Sequence, residues 1–203
     1  INVILSRENS SKSIVLNLPP FTLVAATTKP GSLSAPLRSR FGIVERLNYY
    51  TPKELGKIVM RTSKILKIKI DAQSALEIGK RSRGTPRIAN RILKRVRDFA
   101  NYNNEKNVGY EYVLEILKQI GIDELGLDEI DIKYLYTLVK RFNGGPVGIE
   151  TIASSIGEEI ENIEQVYEPY LLKIGMIDKT IKGRVARSKA IEHIKSYKNF
   201  IFS

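Results

Sequence analysis

The sequence contains no cysteine, no tryptophan and only one histidine. Without cysteine the chain forms neither a disulfide nor a thiolate metal site, which fits a cytoplasmic protein. No apolar run approaches the roughly 20 residues that a membrane helix requires. Residues 1–5 lack the basic start and the long apolar stretch of a signal peptide. Because His193 has no acidic neighbour in the sequence besides Glu192, we expect it to pack or to lie at the surface, and not to serve a metal site or nucleophilic catalysis.

The net charge of +11 is distributed unevenly along the 203 residues. Residues 51–121 hold 16 basic and 7 acidic side chains, whereas residues 122–168 hold 3 basic and 11 acidic ones. Residues 169–203 are basic again, with 8 basic and 2 acidic side chains. A uniform basic surface would indicate loose binding to polyanions, whereas this segregation indicates separate modules. A lysine-rich solvated surface is the alternative; it explains the excess of lysine but not its segregation.

Residues 51–121 are predicted to form a small all-helical domain. Thr51 is placed to cap a helix, with Glu54 at the third helical position to complete a capping box. Asp71 is placed to cap a second helix. Apolar residues recur with a period near 3.6 along these segments, which is the spacing of one helix face. The pattern predicts four helices, beginning near residues 52, 72, 86 and 111.

Residues 122–203 are predicted to form a winged-helix domain behind an acidic linker at residues 121–131. Three helical segments at residues 132–142, 149–156 and 159–174 precede two short strands at residues 176–180 and 184–187. Three helices followed by a hairpin is the order of a winged helix, a relative of the helix-turn-helix. Gly157 is the expected stop of the second helix, and Pro169 is expected to interrupt the third.

The amino-terminal part of the chain is predicted to contain four short strands. Their residues are 1–5, 13–18, 21–26 and 42–47. The first two strands are joined by a polar turn and form a hairpin. The other two are short apolar runs typical of buried strands.

Polar and basic residues follow the third predicted strand. Thr28 stands at its end, and Arg38 and Arg40 come after a Pro-Gly break. Polar groups at a strand end, followed by arginines, suit the stabilisation of charge on a transferred phosphoryl group. An ordinary loop with surface arginines is the alternative.

Several short stretches carry a specific combined pattern: residues 18–23 (LPPFTL), 26–28 (ATT), 31–33 (GSL), 36–44 (PLRSRFGIV), 83–91 (RGTPRIANR) and 144–148 (GGPVG). Together they resemble the RuvB family of AAA+ ATPases, over nearly the whole chain. The resemblance implies a mostly α fold with small β elements. It implies the end of an AAA+ α/β ATPase domain at residues 1–50, a helical lid at residues 51–121 and a C-terminal winged-helix domain at residues 122–203.

The resemblance also implies roles for individual residues. Arg40 matches the arginine finger, which reaches the γ-phosphate bound by a neighbouring subunit, and Thr28 matches the sensor 1 residue. Arg87 matches sensor 2, and Tyr50 matches a tyrosine that packs near the nucleotide. A guanidinium is always charged and presents a planar set of donors, which suits developing phosphoryl charge. From the residues alone, Arg38 remains open beside Arg40.

The resemblance implies ATP-driven branch migration of Holliday junctions, in homologous recombination and DNA repair, by a homohexamer that uses ATP and Mg²⁺. The hairpin at residues 1–18 would bind the partner RuvA, although a hairpin packed on its own domain is an equal alternative. The sequence contains neither a G-x-x-x-x-G-K-[ST] phosphate loop nor an apolar strand ending in Asp-Glu. Both are expected upstream of residue 1, so we expect the 203 residues alone to lack ATPase activity. A non-enzymatic winged-helix DNA-binding regulator, or another AAA+ machine such as a clamp loader, is the alternative.

Lys179, Lys182 and Arg184 surround the tip of the predicted wing. The family places DNA-contacting arginines in this wing; two of the three are lysines here, which keep the charge but lose the bidentate geometry. Ile160 stands where the family has a further arginine. The acidic character of residues 122–168 argues against a recognition helix in the major groove. We therefore expect the wing to bind the phosphate backbone of duplex and Holliday-junction DNA without sequence preference.

Overall fold

The computed structural model describes residues 2–7, 10–15, 17, 19–27 and 30–197, with backbone only for 2–7 and 10–15. The chain divides into two units, Ile1–Leu47 and Asn48–Ser203. The prediction of a mostly α fold with small β elements is confirmed. The helices of the described segments are too short or too polar to cross a membrane.

The first unit contains an antiparallel hairpin and one short helix. β1 (Asn2–Arg7) pairs with β2 (Ser10–Val15), and Asn2 lies opposite Val15. α1 (Ala35–Ser39) follows a 3-10 turn at Pro30–Ser32. The predicted hairpin is confirmed. β1 continues to Arg7 and β2 begins at Ser10, so both strands include residues that the sequence assigned to the turn.

The strands predicted at residues 21–26 and 42–47 are wrong. Both segments have irregular backbone and exposed apolar side chains; Val24 is 87% exposed and Leu47 is 92% exposed. A strand requires a neighbour for its backbone hydrogen bonds and a packed face for its side chains. Within the described part of this unit only β1 and β2 pair, so neither apolar segment has a neighbouring strand.

The second unit begins with four helices, as predicted. They are α2 (Pro52–Ile65), α3 (Ala72–Lys80), α4 (Pro86–Tyr102) and α5 (Tyr110–Gln119). The Thr51 hydroxyl accepts the Glu54 N–H at 3.3 Å, and the Glu54 carboxylate accepts the Thr51 N–H at 2.7 Å. The Asp71 carboxylate accepts the Ser74 N–H at 2.7 Å. Both predicted caps are therefore confirmed, and they satisfy N–H groups that have no partner within the helix.

The four helices enclose one apolar core. Each helix contributes a fully buried side chain from its apolar face, for example Leu55, Ile78, Leu93 and Ile116. The 3.6-residue spacing places these side chains on one stripe of each helix, and burial of the four stripes holds the bundle together.

The rest of the unit follows the predicted winged-helix order. Its elements are α6 (Glu129–Tyr136), continued by a π-helical turn (Thr137–Arg141), α7 (Ile149–Ile156), α8 (Ile160–Asn162), a second π-helical turn (Ile163–Tyr167), α9 (Glu168–Lys173), β3 (Ile177–Thr180), β4 (Gly183–Ala186) and α10 (Ser188–Lys195). Gly157 ends α7 with a left-handed φ of 71°. Pro169 lies in the first turn of α9, where its missing N–H is tolerated. α10 was not predicted.

The wing is the antiparallel hairpin of β3 and β4. Val147, which precedes α7, pairs with Arg184 in an isolated antiparallel bridge, because its N–H and C=O both bond to the Arg184 backbone. Gly183 begins β4 with φ of 130°, and a Cβ there would meet the carbonyl oxygen of Val147. Glycine at this position therefore allows the hairpin to approach the backbone of Val147 closely.

The acidic stretch predicted as a linker at residues 121–131 is ordered: residues 121–128 form a turn, and residues 129–131 form the first turn of α6. The Asp123 carboxylate accepts the N–H groups of Leu125 at 2.9 Å and Leu127 at 2.7 Å. Its other oxygen lies 2.8 Å from Nε2 of His193 in α10. Although burial opposes ionisation, the His193 contact and these backbone bonds lower the pKa of Asp123. His193 thus packs against the carboxylate of Asp123, which lies 70 residues earlier in the chain. The residues next to His193 in the sequence gave no indication of this contact.

Candidate functional site

Arg38 and Arg40 lie at the carboxyl end of α1. The helix begins after Ser34 and has Pro36 in its first turn, where the fixed φ of proline favours a helical start. The N–H of Arg40 donates to the carbonyl oxygen of Leu37 at 3.2 Å. Both guanidinium side chains are exposed. The short helix therefore fixes the backbone of both arginines and leaves their charge accessible to another molecule, and exposure favours neither as the finger.

Tyr50 is tied to the turn that precedes α4, the helix that carries Arg87. The Tyr50 N–H donates to the carbonyl oxygen of Gly84 at 2.9 Å. Arg87 is the second residue of α4 and is exposed, near a helix amino terminus whose dipole favours anions. Thr28, the predicted sensor 1 residue, lies outside the described residues. The structure thus joins the backbone of two predicted nucleotide-contacting segments.

The same turn is packed against a side chain of the winged-helix region. Lys173 of α9 places its Nζ 3.6 Å from the ring centroid of Tyr49, which is a cation–π contact. Burial lowers the pKa of Lys173. Gly84 has φ of 81°, and a Cβ there would lie 2.8 Å from Lys173 Nζ and 2.9 Å from Tyr49 Cβ. The turn therefore requires glycine for its backbone and for its close neighbours.

The three predicted DNA-contacting residues of the wing lie in different environments. Lys182 is exposed at the turn between β3 and β4, beside the exposed Ile181. Lys179 and Arg184 face each other across the hairpin, but Lys179 is exposed and Arg184 is only 7% exposed. Of the three, Lys182 has the charge most accessible to a phosphate group.

Arg184 belongs to a buried network that holds the wing to the helices. Its Nε donates to Glu168 at 2.7 Å, and its Nη2 donates to Glu164 at 2.9 Å. Glu168 is 2% exposed and also accepts the hydroxyl of Tyr134 at 3.0 Å. Lys179 donates to Glu164 at 2.8 Å. The network connects α6, the second π-helical turn and the start of α9 to both strands of the wing.

The pKa shifts agree with this arrangement. Burial, together with the neighbouring Glu168 carboxylate, raises the pKa of Tyr134, so its hydroxyl stays a donor. The hydrogen bond from Lys179 lowers the pKa of Glu164. Burial alone would lower the pKa of Arg184, but the bond to Glu168 outweighs it and raises that pKa. Tyr134, Glu164 and Arg184 are thus each held in the protonation state that their partners require.

Sequence reasoning missed the acidic partners of the wing and the role of Arg83. Glu164 and Glu168 stand four residues apart, a spacing that indicates one helix face. That spacing was a signal for an acidic cluster, but it did not identify the cations that the cluster binds. Arg83 is 8% exposed and contacts the winged-helix region. The sequence did not distinguish it from the many other arginines of the lid.

Family comparisons cover nearly the whole chain. Residues 1–47 match the Holliday junction DNA helicase RuvB P-loop domain, and residues 50–123 match the RuvB AAA lid domain. Residues 124–195 match the RuvB C-terminal winged helix domain. The three matches follow one another in the predicted order.

Solved structures of Thermotoga maritima RuvB are also similar to this chain. The structure of that Holliday junction branch migration motor is 45% identical, with a TM-score of 0.75, and the match covers 81% of this chain and 55% of that one. A point variant of the same protein is 46% identical, with a TM-score of 0.80, over 90% of this chain and 61% of that one. This chain therefore spans less than two thirds of the length of these relatives. With three family matches in succession and this level of identity, the chain belongs to the RuvB family of Holliday junction helicases.

Proposed function

We propose that this chain carries the sensing, lid and DNA-contacting parts of an ATP-driven motor that moves duplex DNA during branch migration of Holliday junctions. The observation that carries the proposal is the succession of three RuvB family matches along one chain. Because the chain spans 55% of the solved motor, its activity in recombination and repair, homohexameric assembly and cytoplasmic location are all parts of this proposal.

ATP and Mg²⁺ are the proposed cofactors, bound by a phosphate-loop segment outside these 203 residues. The sequence has no such loop, and the described residues hold no group of three or more acidic or histidine side chains that fits a metal ion. The residues present fit the sensing side of a nucleotide site, because the guanidinium groups of Arg40 and Arg87 are exposed. Bound ATP would supply a γ-phosphoryl group, and its transfer to water would drive movement.

Four residues have proposed roles at the nucleotide sites of the assembly. Arg40 reaches the γ-phosphate held by the neighbouring subunit and stabilises its developing charge. Arg87 approaches the nucleotide from the lid, and Tyr50 packs beside it. Thr28 orients the attacking water or a phosphate oxygen through its hydroxyl.

The wing is the proposed DNA contact. Lys182 provides the principal phosphate contact, since its charge is exposed at the tip, and Lys179 lies in the strand beside it. A direct phosphate contact from Arg184 would require it to leave Glu168, so we propose that Arg184 acts mainly by holding the wing in place. Contacts to phosphate alone make binding independent of sequence and sensitive to salt.

The β1–β2 hairpin is the proposed contact for RuvA. The support is the family match of residues 1–47 and the pairing of these two strands as a hairpin of their own. Deleting residues 2–15 should abolish binding to RuvA in a pull-down and should leave DNA binding by the wing unchanged.

Arg40→Ala tests the proposed function in a protein that joins the phosphate-loop segment to this chain. Its ATP hydrolysis should fall at least about 10³-fold, the effect of losing an arginine finger. Mixing Arg40→Ala subunits with subunits that bind but cannot hydrolyse ATP should restore hydrolysis, because the second type supplies the missing guanidinium. Arg38→Ala is the matched control and should remain active.

Two outcomes would overturn the proposal. Full hydrolysis by Arg40→Ala, or a mixture that stays inactive, would remove Arg40 from the site between subunits. If the unmodified protein binds duplex DNA but hydrolyses no ATP at all, the chain is a winged-helix DNA-binding regulator.

A further inference from the structure

Arg83 connects the lid helices to the winged-helix region through a buried side chain. It lies in the turn between α3 and α4, and its Nε donates to the carbonyl oxygen of Gly126 at 2.8 Å. Its Nη2 lies 3.1 Å from the Asp128 carboxylate and also bonds to Asp131. The guanidinium carbon lies 5.2 Å from the ring centroid of Tyr170 in α9. One lid side chain therefore contacts two separate parts of the winged-helix region.

The two carboxylates form the amino-terminal capping box of α6. Asp128 accepts the N–H of Asp131 at 3.2 Å, and Asp131 accepts the N–H of Asp128 at 2.9 Å. Asp131 is completely buried, so its charge depends on the cation beside it. Arg83 thus holds the rigid start of a helix, and not a flexible surface loop.

The backbone at Arg83 is constrained as well. Its φ is 54°, in the left-handed region that residues other than glycine adopt rarely. Such a conformation persists where surrounding contacts impose it. Ser82 supports the turn from the α3 side, since the N–H of Thr85 donates to its carbonyl oxygen at 2.9 Å. The guanidinium contacts therefore hold the backbone of the turn in this conformation, and the turn orients the guanidinium group.

The connection leads directly to the proposed nucleotide sensor. Arg87 stands four residues after Arg83, at the start of α4, and Gly84 between them binds the Tyr50 N–H. Any displacement of this turn moves Arg83, and Arg83 is bonded to the first turn of α6. The structure thus provides a continuous path of bonded groups from the turn before α4 to the winged helix.

We infer that Arg83 is a positioning residue that makes the lid and the winged helix move as one body, so that a movement of the Arg87 turn reaches the wing. Its mechanical consequence rests on the proposed function, whereas the rigidity itself does not. A neighbouring bond supports the same junction: Arg81 donates to the Ile122 carbonyl at 3.3 Å. Arg83 differs from Arg81 because it bonds to the start of α6.

The absence of cysteine permits a direct test on the 203-residue chain. Lys118 in α5 and Glu192 in α10 are exposed, so each can be replaced by cysteine and spin-labelled. Double electron–electron resonance then measures the distribution of distances between lid and winged helix. At pH 8, above the pKa of about 7 to which burial raises Asp131 despite the opposing Arg83 charge, the unmodified chain should give one narrow distribution.

Arg83→Met should at least double the width of that distribution. It keeps an apolar stem of similar length but removes the bonds to Gly126, Asp128 and Asp131. Arg95→Met, an exposed arginine of α4, is the matched control and should leave the width unchanged. Adding Asp131→Asn to Arg83→Met should broaden the distribution no further, since the two residues act through one contact.

A narrow distribution with an unchanged mean distance in Arg83→Met would overturn the inference. If Arg83→Met does not fold, Arg83→Lys replaces it: the charge remains, the bidentate geometry is lost, and the width should still exceed that of the control. A width equal to the control in Arg83→Lys would then be the contradicting result. Because this measurement needs neither ATP nor DNA, its failure is distinguishable from failure of the Arg40 test.

The consequence for the motor is measured as base pairs migrated per ATP hydrolysed, in the protein that joins the phosphate-loop segment to this chain. That ratio should fall several-fold in Arg83→Met and stay constant in Arg95→Met. A purely structural loss would reduce migration and hydrolysis together and leave the ratio unchanged, which would contradict the coupling role.

Discussion

Replacing Arg184 by alanine separates two roles that the sequence left combined. A residue that only contacts DNA would be dispensable for folding. In the structure, however, Arg184 donates to Glu168 at 2.7 Å and 3.2 Å and to Glu164 at 2.9 Å. We therefore expect Arg184→Ala to destabilise the Asn48–Ser203 unit before it affects any contact with DNA.

The magnitude follows from the burial of the partner. Glu168 is 2% exposed, and after the substitution its neighbours are the Tyr134 hydroxyl at 3.0 Å and Lys179 at 3.7 Å. Removing one partner of a buried ion pair costs about 3–5 kcal/mol, because the other charge stays buried and loses its closest cation. With about 2–4 °C per kcal/mol for a unit of this size, the melting temperature should fall by roughly 6–20 °C.

The assay combines unfolding with DNA binding. Circular dichroism follows thermal unfolding of the 203-residue chain, and fluorescence anisotropy measures duplex binding at several salt concentrations. Lys182→Ala is the matched control at the exposed tip of the same hairpin: its stability should change by less than about 0.5 kcal/mol. Its DNA affinity should fall equally for all sequences, and the slope of log K against log salt should decrease in magnitude by about 1.

A second variant checks the electrostatic cause. Adding Glu168→Gln to Arg184→Ala removes the buried charge that has lost its closest cation, and should recover part of the lost stability. The contradicting result is an Arg184→Ala chain that melts at the temperature of the unmodified chain and loses DNA affinity to the same extent as Lys182→Ala. Arg184 would then be a phosphate contact, and its bond to Glu168 would be energetically unimportant.

Two further changes test the turn before α4 and its buried carboxylate. An alanine with a left-handed backbone is expected to cost about 1–2 kcal/mol of stability. Gly84→Ala should destabilise the unit by more than this, because the new Cβ meets Tyr49. Gly121→Ala, where φ is 70° and the space around the glycine is open, should show only the backbone cost in the same thermal assay. Burial raises the pKa of Asp131 to about 7, against about 3.9 unfolded, so its protonation contributes stability that is complete below pH 4 and is lost as the pH rises through 7. Urea unfolding from pH 5 to 7 should therefore show stability falling by roughly 1 kcal/mol per pH unit relative to Asp131→Asn; equal slopes for the two proteins would contradict this.

The predictions that succeeded rest on rules that act over a few residues. The Thr51–Glu54 capping box, the Asp71 cap and the stop at Gly157 each depend on groups within one helical turn. The predicted strands at residues 21–26 and 42–47 failed because a strand, unlike a helix, satisfies its backbone through another segment. The apolar pattern was present in both, but no partner strand is found among the described residues of that unit.

The candidate site divides in the same way. The accessible residues, Arg40, Arg87 and Lys182, could be proposed from residue type, position and family resemblance. The ion pairs that distinguish structural cations from accessible ones could not be predicted from the sequence. Arg83 and Asp131 are 48 residues apart, and Arg184 and Glu168 are 16 apart. A count of charges does not reveal which cation a buried carboxylate will bind.

The order of the residues alone determined the helix caps at Thr51 and Asp71, the helix stop at Gly157, the wing hairpin and the membership of the RuvB family. These depend on local backbone chemistry and on motifs read in succession. Only the tertiary structure decided that Arg184 holds the wing and that Arg83 joins the lid to α6. The physical reason is that a buried charge must find its partner wherever folding brings one within bonding distance, regardless of separation along the chain.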